Sequence, residues 1–247
     1  MLRLLACAWF VLAWTTWVSA ADEKAPPEKQ EETEQPKPRD LGPPLVDNVE
    51  ALKRLSPSQP VWVDMKRKEV IFQGETCKAS YPLEFLVTLP GREYESVIVA
   101  RVRPSVVHTG LLAVGAQPGT PVRFQPKFQP PSGSEVEILV RWKDKDGKVR
   151  EARAQEWIRA IKTKKSPTEN WIFGGSGFSV DDGKRYYQAE SGDFISVANV
   201  PIATLDLPIE SASDLDNRMF EGFVERMPPA ETPVTVVLRP KLPQPKQ

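Results

Sequence analysis

The segment Asp144-Lys145-Asp146-Gly147 stands between two apolar runs, 136–142 and 149–154, and it leaves the chain little choice but to double back. An Asp-Gly pair accepts the positive φ angles of a tight turn, so the stretch predicts a β-hairpin with strands on either side. The same punctuation recurs. Val61-Trp62-Val63 and Val70-Ile71-Phe72 flank the polar turn Lys66-Arg67-Lys68, and 171–180 and 184–189 flank Asp181-Asp182-Gly183. Single strands are expected at 83–89, 95–102, 120–124, 194–197 and 232–238, where β-branched and aromatic residues cluster between Gly and Pro breaks.

Helical spacing is rarer. Pro104 opens a stretch, 105–114, with apolar residues at i, i+4 and i+7 from Val107, and it stops at Gly115. A second helix is expected at 213–227, placing Leu215, Met219 and Phe223 on one face, and a short one at 155–162 around Trp157, Ile158 and Ile161. A turn or two of helix is read over 47–55. These elements predict an α+β fold: mainly antiparallel hairpins with two or three short helices packed on the sheet, and a β-sandwich as the alternative.

The ends carry a different composition. An apolar run from Leu4 to Val18 closes on Val18-Ser19-Ala20, the pattern of a secretory signal peptide over 1–20 with cleavage after Ala20. Three tryptophans make an uncleaved anchor the alternative, although the run is shorter than the roughly 20 residues of a span. Residues 21–46 are rich in Pro, Glu and Lys and read as a disordered linker, 47–240 as one folded domain, and 241–247 as a polar tail. A periplasmic or secreted location follows, with no stable membrane insertion after cleavage.

Composition narrows the chemistry. The 33 basic residues balance 33 acidic ones, which argues against nucleic acid as a partner. Of two cysteines, Cys7 lies in the signal, so Cys77 remains without an intrachain partner; its place just past a hairpin predicts an accessible thiol. His108 is the single histidine. Its simplest role is a partly buried ring bonded to a backbone carbonyl; as a metal ligand it needs Glu93 or Glu95 brought across the strand.

Ser176, in Gly174-Gly175-Ser176-Gly177, resembles a nucleophile elbow that His108 and Asp193 would complete as a triad, but Phe178 occupies the position where the motif needs glycine. Glycines inside a strand pattern more often mark a bulge or the close approach of another backbone. Asp144, Asp146, Asp181 and Asp182 suit turns better than calcium. Trp62, Trp142, Trp157 and Trp171 are either core residues or a sugar-binding platform.

Glu95-Ser96, His108 with Leu111-Leu112 and Gly115, the Trp142 to Gly147 turn, 171–178, and Tyr187-Gln188-Ala189 before Gly192 together resemble the YdjY-type domain over roughly 56–240. That family consists of exported bacterial proteins, and the resemblance implies no particular activity, substrate or cofactor. Some members carry a ferredoxin-like label, which implies several cysteine ligands; with Cys77 alone, this chain departs from them. The expected function is an exported non-catalytic binding or accessory domain at the cell envelope, recognising an envelope protein or small ligand and needing no cofactor. The alternative is an enzyme or metal protein centred on His108, with Glu95, Ser176 and Asp193 as further candidates.

Overall fold

The computed structural model describes residues 39–212 and 218–242. Residues 1–38, which include the segment read as a signal peptide and most of that read as a linker, residues 213–217 and residues 243–247 lie outside the described residues. In chain order the elements are β1 (Lys53–Arg54), β2 (Val61–Asp64), β3 (Glu69–Thr76), β4 (Phe85–Thr88), β5 (Ser96–Val99), α1 (Pro104–Ala113), β6 (Glu135–Lys143), β7 (Val149–Arg153), β8 (Ile158–Ala160), β9 (Trp171–Ile172), β10 (Phe178–Asp181), β11 (Lys184–Tyr187), β12 (Ile195–Ser196), β13 (Phe220–Gly222) and β14 (Pro233–Pro240). Short 3-10 turns fill several connections.

Ten strands join one sheet along the order β12-β4-β5-β3-β14-β6-β7, with β1 and β2 continuing from β3 and β9 pairing with β6. All pairs are antiparallel except β4 with β5, whose connection carries Arg92. The last strand, β14, sits in the middle. It pairs with β3 from Pro233↔Glu75 to Leu238↔Val70 and with β6 from Val234↔Trp142 to Pro240↔Val136. Alternate residues face opposite sides. Val234, Val236 and Leu238 enter the main core with Phe72, Ile138, Val140, Trp157 and Trp171, while Val237 joins Ile71 and Leu139 on the other face.

That second face is covered by the chain ahead of β1. Leu45 N–H donates to Thr235 Oγ1 at 2.8 Å, Gln73 Nε2 donates to the Gly42 carbonyl at 2.9 Å, and Val46 and Leu52 pack on the Ile71 cluster. On the core face, α1 buries Val107 and Leu111 against β2 and β3.

The α+β expectation is overturned: among the described residues there is one α-helix, and strands dominate. Ten of the fourteen strands share one sheet, so they do not divide into two separate sheets of similar size. The expected helix at 155–162 is a 3-10 turn, Ala154–Trp157, followed by β8; the described part of 213–227 contains β13 and another 3-10 turn, Val224–Arg226. Both corrections have one cause. Ile158↔Gly222 and Ala160↔Phe220 pair across about sixty residues of chain, and this distant partner outweighs local helical spacing. Residues 49–51 form a 3-10 turn and 53–54 a strand, in place of the short helix read at 47–55, and 120–124 makes isolated bridges only.

The three expected hairpins form, but the first strand of the last one is shorter than 171–180: β9 (Trp171–Ile172) leaves to pair with β6, the glycines at 174–177 break the run, and only Phe178–Asp181 pairs with β11. β2–β3, β6–β7 and β10–β11 close on the turns that punctuate them, and Asp144 accepts N–H bonds from Asp146 and Lys148, the turn role read for it. The tryptophans divide: Trp157 and Trp171 are sealed in the core, and Trp142 meets Trp157 edge-on at 5.1 Å.

Cys77 corrects a further expectation. Its residue is 7% exposed, just past the end of β3 with its N–H donating to the Val97 carbonyl of β5, both interior strands; burial pushes the thiol up to about 12. We predict that a thiol reagent leaves Cys77 unmodified in the native protein and reacts stoichiometrically once denaturant unfolds it. Rapid modification of the folded chain would contradict the burial described.

Candidate functional site

His108 lies on the half-turn of α1 that faces the glycine-rich segment 174–177. The helix starts on Pro104 without a cap from Arg103, and the vacancy is filled from a distance: the Glu190 carboxylate accepts the Ser105 N–H at 3.1 Å and also the Ser105 hydroxyl. Arg103 Nε stands 3.4 Å from the same carboxylate. The 3-10 turn Gln188–Ser191 is thereby fixed to the helix N-terminus.

One turn along α1, His108 Nδ1 is 2.9 Å from Tyr187 Oη. The Tyr187 hydroxyl donates to the Gly175 carbonyl at 3.2 Å and contacts Thr204 Oγ1 at 3.0 Å. The Tyr187 oxygen, donor and acceptor at once, thus joins the Gly175 carbonyl, Thr204 Oγ1 and His108 Nδ1, and the direction of the last bond follows the imidazole tautomer. The partner is thus a phenol where the sequence suggested a backbone carbonyl. Phe173 packs edge-on against the imidazole at 4.8 Å. Burial lowers the His108 pKa and raises that of Tyr187, so both are neutral at physiological pH.

The glycines permit this convergence. A Cβ at Gly175, whose φ is +87°, would lie 2.7 Å from Pro118 Cβ, and one at Gly133 would lie 2.2 Å from the Phe173 carbonyl oxygen. Two loops therefore meet backbone to backbone here, the close approach expected of glycines in a strand pattern. Ser176 itself has φ +57°, and its hydroxyl donates to the Ile202 carbonyl at 2.5 Å.

Asp193 and Glu95 belong elsewhere. Arg92 donates Nε to Glu95 Oε1 at 2.9 Å, Nη2 to Glu84 Oε2 at 2.9 Å and Nη1 to Asp193 Oδ1 at 3.0 Å, with its guanidinium 4.4 Å above the Phe85 ring. Arg218 bonds Glu84 and Glu95 from the other side, each at 2.9 Å. The structure thus brings Glu95 and Asp193 together, around Arg92 and not around His108. The opening turn Arg92-Glu93-Tyr94-Glu95 was the only sequence sign of the cluster, and Glu84 and Arg218 had none. Among the described residues no group of three or more His, Cys, Asp or Glu is placed to hold a metal ion.

Three buried carboxylates against two guanidiniums leave one negative charge in excess. Burial, with Glu95 alongside, pushes the Glu84 carboxyl up to about 7 against the pull of Arg92. Asp206, sealed in the 197–211 loop, is pushed up by burial to about 8 although Asn199, Val200 and Leu207 donate to it.

The β10–β11 ribbon, which pairs only with itself, is open to solvent. Phe178 is 51%, Val180 73% and Tyr186 47% exposed, and the Arg185 guanidinium covers the Phe178 ring at 3.8 Å. Beside the ribbon is a shallow depression of about 520 Å³ lined by Arg103, Ser179, Tyr186, Tyr187 and Glu190. Tyr187 terminates β11, so the His108 node is the root of the ribbon.

Two measurements test these readings. Tyr187→Phe removes the bonds to His108, Gly175 and Thr204 and should lower unfolding free energy by about 1–3 kcal/mol in a denaturant titration; an unchanged midpoint would refute the node. For pH, Glu84 and Asp206 hold protons more tightly folded than unfolded, where such groups titrate near 4. Their stabilisation is complete below that value and is lost as pH rises through about 7 and 8, because the unfolded chain then binds fewer protons. The melting temperature should therefore fall as pH rises from about 4.5 to about 8, and Glu84→Gln should shrink the part of the fall that lies below about pH 7. A melting temperature that does not fall over that interval would show both carboxylates ionised in the folded protein and refute the raised pKa values.

No curated protein and no solved structure matches this chain. No helix among the described residues is long and apolar enough to cross a membrane. The YdjY domain family matches residues 61–239, from β2 through all but the last residue of β14, and so takes in every strand of the large sheet except β1, the His108 node and the ribbon. On that match the chain belongs to the YdjY domain family.

Proposed function

We propose that this protein is an exported, non-catalytic binding domain of the cell envelope, and that the β10–β11 ribbon is its recognition surface for another envelope protein. The observation that carries this reading is the exposure of Phe178, Val180 and Tyr186 on a two-stranded ribbon with both edges unpaired. Scattered exposed apolar residues are ordinary; three on one short projecting element are a feature of interaction sites. Free strand edges add backbone donors and acceptors for an extended segment.

The polar groups beneath support the same reading. His108, Tyr187, Thr204, Ser176 and Glu190 each have protein partners that hold the ribbon in place. A preformed surface loses less conformational entropy on binding than a mobile one. Export rests on the Leu4–Ala20 pattern and on the resemblance noted above.

A photo-crosslinking residue placed at Val180, in cells that express the protein, should yield a discrete adduct with an envelope protein identifiable by mass spectrometry. The same probe at Val149, exposed to 49% on β7, should not. Adducts of equal yield from both positions, or none from Val180 and Tyr186, would remove the ribbon from consideration.

A further inference from the structure

A second projection lies outside the ribbon. Residues 117–134 form a long hairpin closed at three levels: Ser134 N–H donates to the Gln117 carbonyl at 2.9 Å, Ser132 N–H to the Thr120 carbonyl at 2.9 Å, and Arg123 and Gln129 exchange bonds of 3.1 and 2.8 Å. Its base is tied to the core by Gly119 N–H donating to the Phe173 carbonyl at 3.0 Å. Pro118, Pro121, Pro126, Pro130 and Pro131 restrict the backbone further.

The tip of this stiff arm is Phe124-Gln125-Pro126-Lys127-Phe128. Phe124 is 41% exposed, its ring centroid lies 6.0 Å from that of half-buried Phe128, and Arg123 and Lys127 are exposed beside them. The arm's own charges have one sign: residues 117–134 contain no acidic residue, and Arg123 and Lys127 are its two charged side chains.

We infer that this tip is a contact for an anionic lipid bilayer, with Phe124 and Phe128 at the headgroup–acyl boundary and Arg123 and Lys127 on lipid phosphates. Aromatic rings partition to that boundary, and cations beside them are drawn to an anionic surface. A protein partner fits less well, because a stable protein interface needs about 800 Å² per side and a five-residue tip offers only a small part of that. A bilayer makes no such demand, since each side chain partitions by itself. Rigidity helps here as well: the arm has little conformational freedom left to lose. One apolar pair with two cations supports reversible attachment and no more, which suits a domain whose ribbon engages a partner next to the membrane.

The test uses the chain from Ala21 onward, whose compact unit begins at Pro38, so that the apolar leader contributes nothing. It is sedimented with phosphatidylcholine vesicles, with and without about one third phosphatidylglycerol. Binding is expected to the anionic vesicles and to weaken as salt is added. The pair Phe124→Ser with Phe128→Ser should lower the partition coefficient about tenfold or more, and Arg123→Gln with Lys127→Gln should lower it and flatten its salt dependence. Both pairs alter side chains that are exposed or half-buried, and their melting temperatures should match that of the parent. Absence of binding by the parent chain, equal binding to neutral and anionic vesicles, or retention of binding by the phenylalanine pair overturns the inference. Loss of vesicle binding in Val180→Ser with the loop pairs unaffected would overturn it too, assigning the lipid contact to the ribbon.

Discussion

The sheet depends on β14, the last strand among the described residues. β14 holds β3 on one side and β6 on the other, so neither half of the sheet has its neighbour until residues 233–240 arrive. Its two faces do separate work. Val234, Val236 and Leu238 complete the main core, and Thr235, Val237 and Arg239 face the other side, where Thr235 accepts from Leu45 and Arg239 pairs with Glu69 and Glu137. A slip of one residue would exchange these sets, placing valines where the Glu69 carboxylate lies and Arg239 in the apolar interior. The register is therefore specified from both faces at once, and the pairings are long-range, which makes folding slow relative to a helical domain of this size.

Around that frame the buried polar residues act as fasteners. Arg92, in the connection between the parallel strands β4 and β5, draws together Glu84, Glu95 and Asp193 from three separate parts of the chain. Breaking such a cluster by removing one partner leaves a buried charge uncompensated, so it locks the arrangement more than it adds stability. The His108 and Tyr187 contact does comparable work with neutral groups, and Glu190 on the helix N-terminus completes the fixation of the β10–β11 ribbon.

The two projecting hairpins share this foundation. The 117–134 arm and the ribbon both spring from residues 173–177, where Gly175 and Gly133 let backbones pass closer than side chains would permit. Apolar residues that the core does not need, Phe124 on one arm and Phe178, Val180 and Tyr186 on the other, are held out to solvent on rigid supports.

Hairpins whose turns are written between their strands were legible from the residues alone: Asp144 to Gly147, Asp181 to Gly183 and Lys66 to Lys68 each join neighbours a few residues apart, and local turn chemistry suffices. α1 was legible for the same reason, since Pro104 and the spacing from Val107 are local signals, and the YdjY resemblance rested on such motifs in their order. The tertiary structure decided what depends on distant partners. Ile158 to Ala160 became a strand because Phe220 to Gly222 lies beside it, Glu95 and Asp193 met around Arg92, Tyr187 became the partner of His108, and Cys77 was buried beside β5. Periodicity records which residues prefer to be buried or extended; which of them touch is settled only when the chain closes loops of sixty to a hundred and sixty residues, and no local pattern encodes that.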